Sequence, residues 1–283
     1  MRPKGTAGIL NPFEGFKHFS LRREAPPDDL APLVENFWSV RWDLDGREPF
    51  AQEILPYPCV NLSTGPSGFE VHGPATKRFV AQLSGSAQVF GTKFTPAGFY
   101  AFTKIPMRDL VDRVVPIEAA AGRAPRARGT DDFETVRSQV ETFLRSFHPA
   151  RTEAMALADR LVRLAQDDRS IARAEDLARA AGISVRSLHR IFERHVGVGP
   201  KWIVRRSRVQ EAAERVARGE PVDWAGAAHD LGYHDQAHLI RDFREQVGST
   251  PAAYARQCGA SALDSAALAE HRAPREPRPP RGA

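Results

Sequence analysis

Arg190 and Arg241 occupy matching places in two copies of one pattern. Leu188-x-Arg190-x-Phe192-x-x-x-Val196-Gly197-x-x-Pro200 returns as Leu239-x-Arg241-x-Phe243-x-x-x-Val247-Gly248-x-x-Pro251, each position displaced by 51 residues (190 to 241, for example). An arginine can donate two hydrogen bonds to guanine O6 and N7, and a glutamine such as Gln236 can pair with adenine N6 and N7. Ala237 and Ile240 can meet a thymine methyl, and His189 can donate or accept. Arg186 stands one turn before Arg190. Between Ser184 and Arg208 there are seven basic residues and one acidic one, Glu193. Ser184, Arg205 and Arg206 are candidates for phosphate contacts, which position a protein without reading sequence.

Such residues work only if a short helix holds them outward. Before each copy stands an Ala-rich stretch ending in glycine, Leu177–Gly182 and Ala227–Gly232. The two glycines are 50 apart (182 to 232), so the second turn has one extra residue. Small residues at Ala178 and Ala228 let the next helix cross closely. Gly182 and Gly232 suit a left-handed turn. Ser184 and Asp235 can then cap the following helices. Leu188 with Ile191 or Phe192, and Leu239 with Phe243, face inward. Val185, Arg186, His189 and Arg190 face outward, as do Gln236, Ala237, Ile240 and Arg241. A single such unit is also what a small helical bundle would show. Arg190 and Arg241 could equally bind phosphate or an acidic side chain. Two matched copies disfavour the plain bundle.

The region resembles the DNA-binding domain of the AraC/XylS family of regulators. The resemblance spans about Ala174 to Arg256 and is carried by the second copy, from Gly232-Tyr233-His234-Asp235-Gln236 through Leu239-Ile240-Arg241-Asp242-Phe243 to Gly248-Ser249-Thr250-Pro251. It implies seven helices in two helix-turn-helix units, joined by a central helix over about Pro200 to Arg218. It also implies that both recognition helices enter successive major-groove segments, ~34 Å apart. On that footing Arg186, His189 and Arg190, then Gln236, Ala237, Ile240 and Arg241, read double-stranded DNA.

The first 120 residues read as β-rich, a barrel or sandwich. Trp38, Val40, Trp42 and Leu44 alternate onto one face, and Asp45-Gly46 signals a turn before a strand at Phe50–Leu55. Phe69–His72 and Gln88–Phe94 are further strands, and a helix is expected around Arg108–Val115. Pro56–Leu62, Val71–Pro74 and Phe90–Phe99 resemble an uncharacterised N-terminal domain found joined to such DNA-binding domains. The resemblance implies ligand sensing or dimerisation. Trp38, Tyr57 and Phe90 are candidates for an effector pocket, or they fill the core. Residues 121–170 are expected to hold a linker and connecting helices, 171–257 the DNA-binding domain and 258–283 an Arg/Pro-rich disordered tail. The fold class is α+β.

The 283 residues, 42% hydrophobic, suffice for two domains. The net charge of +5 permits an acidic partner but does not require one. The two cysteines, Cys59 and Cys258, are too few for a disulfide framework or a cysteine-rich zinc site. No apolar run reaches the ~18–20 residues of a membrane span, and no signal peptide is seen, so a cytoplasmic protein is expected. The expected partners are DNA, a small effector, a second copy of the chain and, for an activator, RNA polymerase. No cofactor, metal or catalytic residue is expected. The rival is an enzyme or DNA-repair-type fusion acting through Cys59, with His72 beside it. His234 and His238, four apart on a helix, have no third zinc ligand nearby.

Overall fold

The structure, a computed structural model, describes residues 8–55, 57–171, 173–218 and 224–259. After α1 (Pro12–Gly15) come β1 (Phe19–Glu24), β2 (Val34–Leu44), β3 (Phe50–Ile54), β4 (Asn61–Gly65), β5 (Gly68–His72), β6 (Phe79–Leu83) and β7 (Gly85–Phe94). Then follow α2 (Tyr100–Thr103), a 3-10 turn (Met107–Leu110), β8 (Val114–Pro116) and α3 (Ile117–Ala121). Six strands pair in the order β1-β2-β7-β4-β5-β8, antiparallel throughout, while β3 and β6 make a separate ribbon.

The expected barrel does not close: among the described strands the six-stranded sheet is open, with β1 and β8 at its edges. The Asp45-Gly46 turn does not return β3 onto β2, because β1 and β7 already occupy both sides of β2. The ribbon instead lays Phe50, Ala81 and Leu83 over Phe19, Leu44 and Trp42. The helix expected around Arg108–Val115 is also absent. Val111 turns to an extended backbone, φ -58° and ψ 130°, which ends the 3-10 turn, and Asp112 after it is left-handed, φ 55°. Val115 then pairs with Val71 as part of β8.

The other face of the sheet is the core. Phe37, Phe90 and Phe94 are fully buried there, each contributing about 2–3 kcal/mol by leaving water. Over them lie α4 (Phe133–Arg145) and α5 (Glu153–Asp167), capped by Asp132 and Thr152. The ring of Phe133 sits 5.4 Å from that of Phe90. Asp159 of α5 ties this layer to the end of β7. It accepts from Ala97 N at 3.0 Å, Thr95 Oγ1 at 3.2 Å and Arg151 Nη2 at 2.8 Å.

The remaining helices are α6 (Ala174–Ala180), α7 (Val185–His195), α8 (Pro200–Ala217), α9 (Trp224–Asp230) and α10 (Gln236–Val247), followed by α11 over 251–259. Their packing divides inside α8. Leu177, Leu188, Phe192, Ile203 and Val204 belong to one hydrophobic core with the sheet and α4–α5. Val209, Ala212 and Val216 belong to a second, with Ala228, Leu239, Phe243 and Tyr254. The Arg/Pro-rich tail, from residue 260, lies outside the described residues.

Candidate nucleic-acid interface

Each half of the repeat folds as a short helix, a glycine turn and a longer helix. Gly182 and Gly232 take φ of 65° and 73°, the left-handed conformation that a side chain would disfavour. The Ser184 hydroxyl accepts from Ser187 N at 3.1 Å, and Asp235 Oδ1 accepts from His238 N at 2.7 Å. These caps start α7 and α10. Leu188 and Phe192, and Leu239 and Phe243, are buried without residual exposure.

Burial of one stripe leaves the opposite stripe outside. Arg186, His189 and Arg190 are exposed on α7; Gln236, Ala237 and Arg241 are exposed on α10, with Ile240 half-buried. Among the described residues, neither Arg190 nor Arg241 makes an ion pair, so both guanidinium groups remain available.

The same stripes extend further than the motif suggested. Arg244 lies three and four residues beyond Arg241 and Ile240 and is exposed; it lines a shallow concavity with Ala237, Ile240, Arg241, Glu245 and Thr250. The counterpart of Arg244 in the first copy is Glu193, paired at 3.3 Å with Arg108 of the N-terminal domain. Helical spacing alone would have found both.

Of the phosphate candidates, Arg205 and Arg206 are engaged within the protein itself. Arg206 is 2% exposed and lies over the Tyr57 ring at 5.1 Å, where burial pulls its pKa down to about 10; it cannot reach a phosphate. Arg205 holds Asp242 with two N–H groups, and these raise its pKa further. The Ser184 hydroxyl caps α7 and also donates to Ser187 Oγ at 3.0 Å.

Of the effector-pocket candidates, Phe90 is separated from Trp38 by the sheet. Trp38 pairs with Gly91 and Phe90 with Ser39 across β2 and β7, so Trp38 and Phe90 face opposite sides of the sheet. Trp38 lies flat on Gly91, where an added Cβ would fall 2.2 Å from the indole, and its Nε1 donates to Asn61 Oδ1. Phe90 is core. Tyr57 is held between Lys93 and Arg206, Lys93 being the cross-strand partner of the Asn61 that Trp38 meets, and the Tyr57 hydroxyl donates to Gln166 Oε1 at 3.2 Å.

Cys59 is 1% exposed, and burial pushes its thiol up to about 12, the reverse of an activated nucleophile. His72 instead lies 2.9 Å from Ser63 Oγ, and burial lowers its pKa. Glu70 approaches the same Nε2 at 3.8 Å rather than Nδ1, so these three do not form a serine relay. His234 is exposed beside Asp235, and His238 stacks edge-on with Tyr233. Among the described residues no group of three His, Cys, Asp or Glu could hold a metal, and no helix is long and apolar enough to cross a membrane.

Two capped helices, each presenting a polar stripe over a buried Leu–Phe pair, define a double helix-turn-helix. Residues 177–257 match the model of a helix-turn-helix domain, and residues 22–116 match a domain of unknown function (DUF6597). A curated relative, the transcriptional activator NphR of a Rhodococcus species, is 25% identical over 212 residues. That match covers 74% of this chain and 57% of NphR, so the chain spans little more than half the length of this relative. Among solved structures, the DNA-binding domain of AdpA in complex with a target DNA is 26% identical, over 44% of this chain and 100% of that one, at a TM-score of 0.29. ToxT of Vibrio cholerae with a bound unsaturated fatty acid is 11% identical, over 90% of this chain and 97% of that one, at a TM-score of 0.39.

Proposed function

We propose that this protein is a sequence-specific DNA-binding transcription regulator. Arg186, His189 and Arg190 of α7 and Gln236, Ala237, Ile240 and Arg241 of α10 read successive major-groove segments, and Arg244 meets the adjoining backbone. The observation that carries this reading is the pair of exposed, unpaired arginines, Arg190 and Arg241, at equivalent places on two capped helices. The protein acts in the cytoplasm and is not an enzyme: the buried, protonated Cys59 thiol removes the support for the rival.

Residues 171–257 bind DNA, and residues 1–120 sense an effector or pair with a second copy, through the connecting helices of 121–170. The core shared by the sheet, α5 and α7 supports that coupling, because a change at the sheet reaches the first reading helix through packed side chains. An activator would also contact RNA polymerase. Selection from a random-sequence duplex pool tests the reading. Recovery of a two-segment site about one helical turn apart is expected. Recovery of no preferred sequence would overturn it.

A further inference from the structure

The two units agree on their outward stripe and differ on its flank. A shift of 51 residues takes Ile191 to Asp242 and Arg194 to Glu245. On α7, Ile191 packs against the core, and Arg194 Nε donates to the Tyr100 hydroxyl at 2.8 Å. The N-terminal domain therefore holds that flank. On α10 the same flank carries two carboxylates. Asp242 is 3% exposed. Arg205 Nε donates to its Oδ2 at 2.7 Å, Nη2 donates to its Oδ1, and Nη2 also reaches Glu245 Oε2 at 3.2 Å. One turn earlier, His238 Nε2 lies 3.9 Å from Asp242. Arg205 comes from α8 just where that helix passes from the first core, at Ile203 and Val204, to the second, at Val209.

We propose that Arg205 is a positioning residue: by gripping Asp242 and Glu245 it fixes α10 against α8, and so sets the spacing at which the two reading helices meet DNA. The inference rests on the DNA-reading role proposed above. A planar guanidinium with two parallel N–H bonds fixes direction as well as charge, which an ammonium does not. Asp242 cannot turn to water without leaving the interior, so the grip is hard to slip. The anchors are separate, so one helix can shift while the other stays in place.

The test compares the wild type with Arg205→Lys and with Arg205→Met/Asp242→Leu. The double variant removes both charges together, so no carboxylate is left buried alone. Three probes are used: the duplex selected by the wild type, the same duplex with its second segment scrambled, and versions with one or two base pairs inserted between segments. In both variants affinity for the intact duplex should fall about tenfold, since two linked contacts lose their shared geometry. Affinity for the one-segment duplex should stay within about twofold, and the penalty for inserted base pairs should shrink. A variant with native far-UV circular dichroism that keeps the affinity and the spacing penalty of the wild type would overturn the proposal. Equal losses on intact and one-segment duplexes would also overturn it. A wild type that selects no duplex overturns the DNA-reading role itself, before any variant is made.

Discussion

Acid should loosen the seam between the first reading helix and the N-terminal domain, through His195. The ring is 5% exposed and stands edge-on to Tyr100, with centroids 4.6 Å apart. Its Nδ1 is buried without a partner among the described residues. Burial, and then the neighbouring Arg194 charge, pull its pKa from 6.5 down to about 4. The folded state therefore prefers the neutral ring. Its contribution is complete above pH 6.5 and is lost as pH falls from there toward 4. Between pH 7.5 and 5.0 the unfolded chain takes up most of a proton that the folded chain refuses, which costs about 2 kcal/mol. Solvent near the rim of the seam screens part of this, so ~1 kcal/mol is the lower end. Urea unfolding of the wild type and of His195→Phe, at both pH values, measures it. The phenyl ring keeps the contact with Tyr100 and removes the titration, while every other group titrates in both proteins. The wild type should lose about 1–2 kcal/mol more than the variant on acidification. Equal losses would refute the reasoning.

Ser184→Ala should lower stability by ~1 kcal/mol in chemical denaturation, because the hydroxyl caps α7. Gly91→Val should cost about 1–3 kcal/mol and shift the tryptophan emission, since the new side chain displaces the Trp38 indole. Arg108→Ala should weaken duplex binding about threefold by leaving Glu193 unneutralised on the reading stripe, and adding Glu193→Gln should restore it; persistence of the loss in the double variant would contradict that pairing.

The helical half was legible because its signals are local. Ser184, Asp235, Gly182 and Gly232 each act on backbone within a few residues, and the structure uses all four as caps or turns. Inward and outward positions followed from helical period alone. What failed depended on distant partners. Nothing near Arg206 in sequence says that Tyr57 will cover it, and nothing near Arg205 says that Asp242 will claim it. The strands of the N-terminal half were read from their alternation, but pairing is a choice among non-local edges. So β3 went to β6 rather than β2, and Trp38 and Phe90 came to lie on opposite faces. Glu193 and Arg244 lie within reach of the same helical arithmetic, but they fall at a position inside the repeat where the two copies carry different residue types, outside the matched pattern.

The central claim is that α7 and α10 read base edges through Arg190 and Arg241. Equilibrium binding of Arg190→Ala and Arg241→Ala to the duplex selected by the wild type, with each base pair substituted in turn, tests it most directly. Each variant should lose about 1–3 kcal/mol and become indifferent to base identity at one position, a different position in a different segment for each. Folded variants that bind as the wild type does, or that weaken uniformly with no position relaxed, would contradict it.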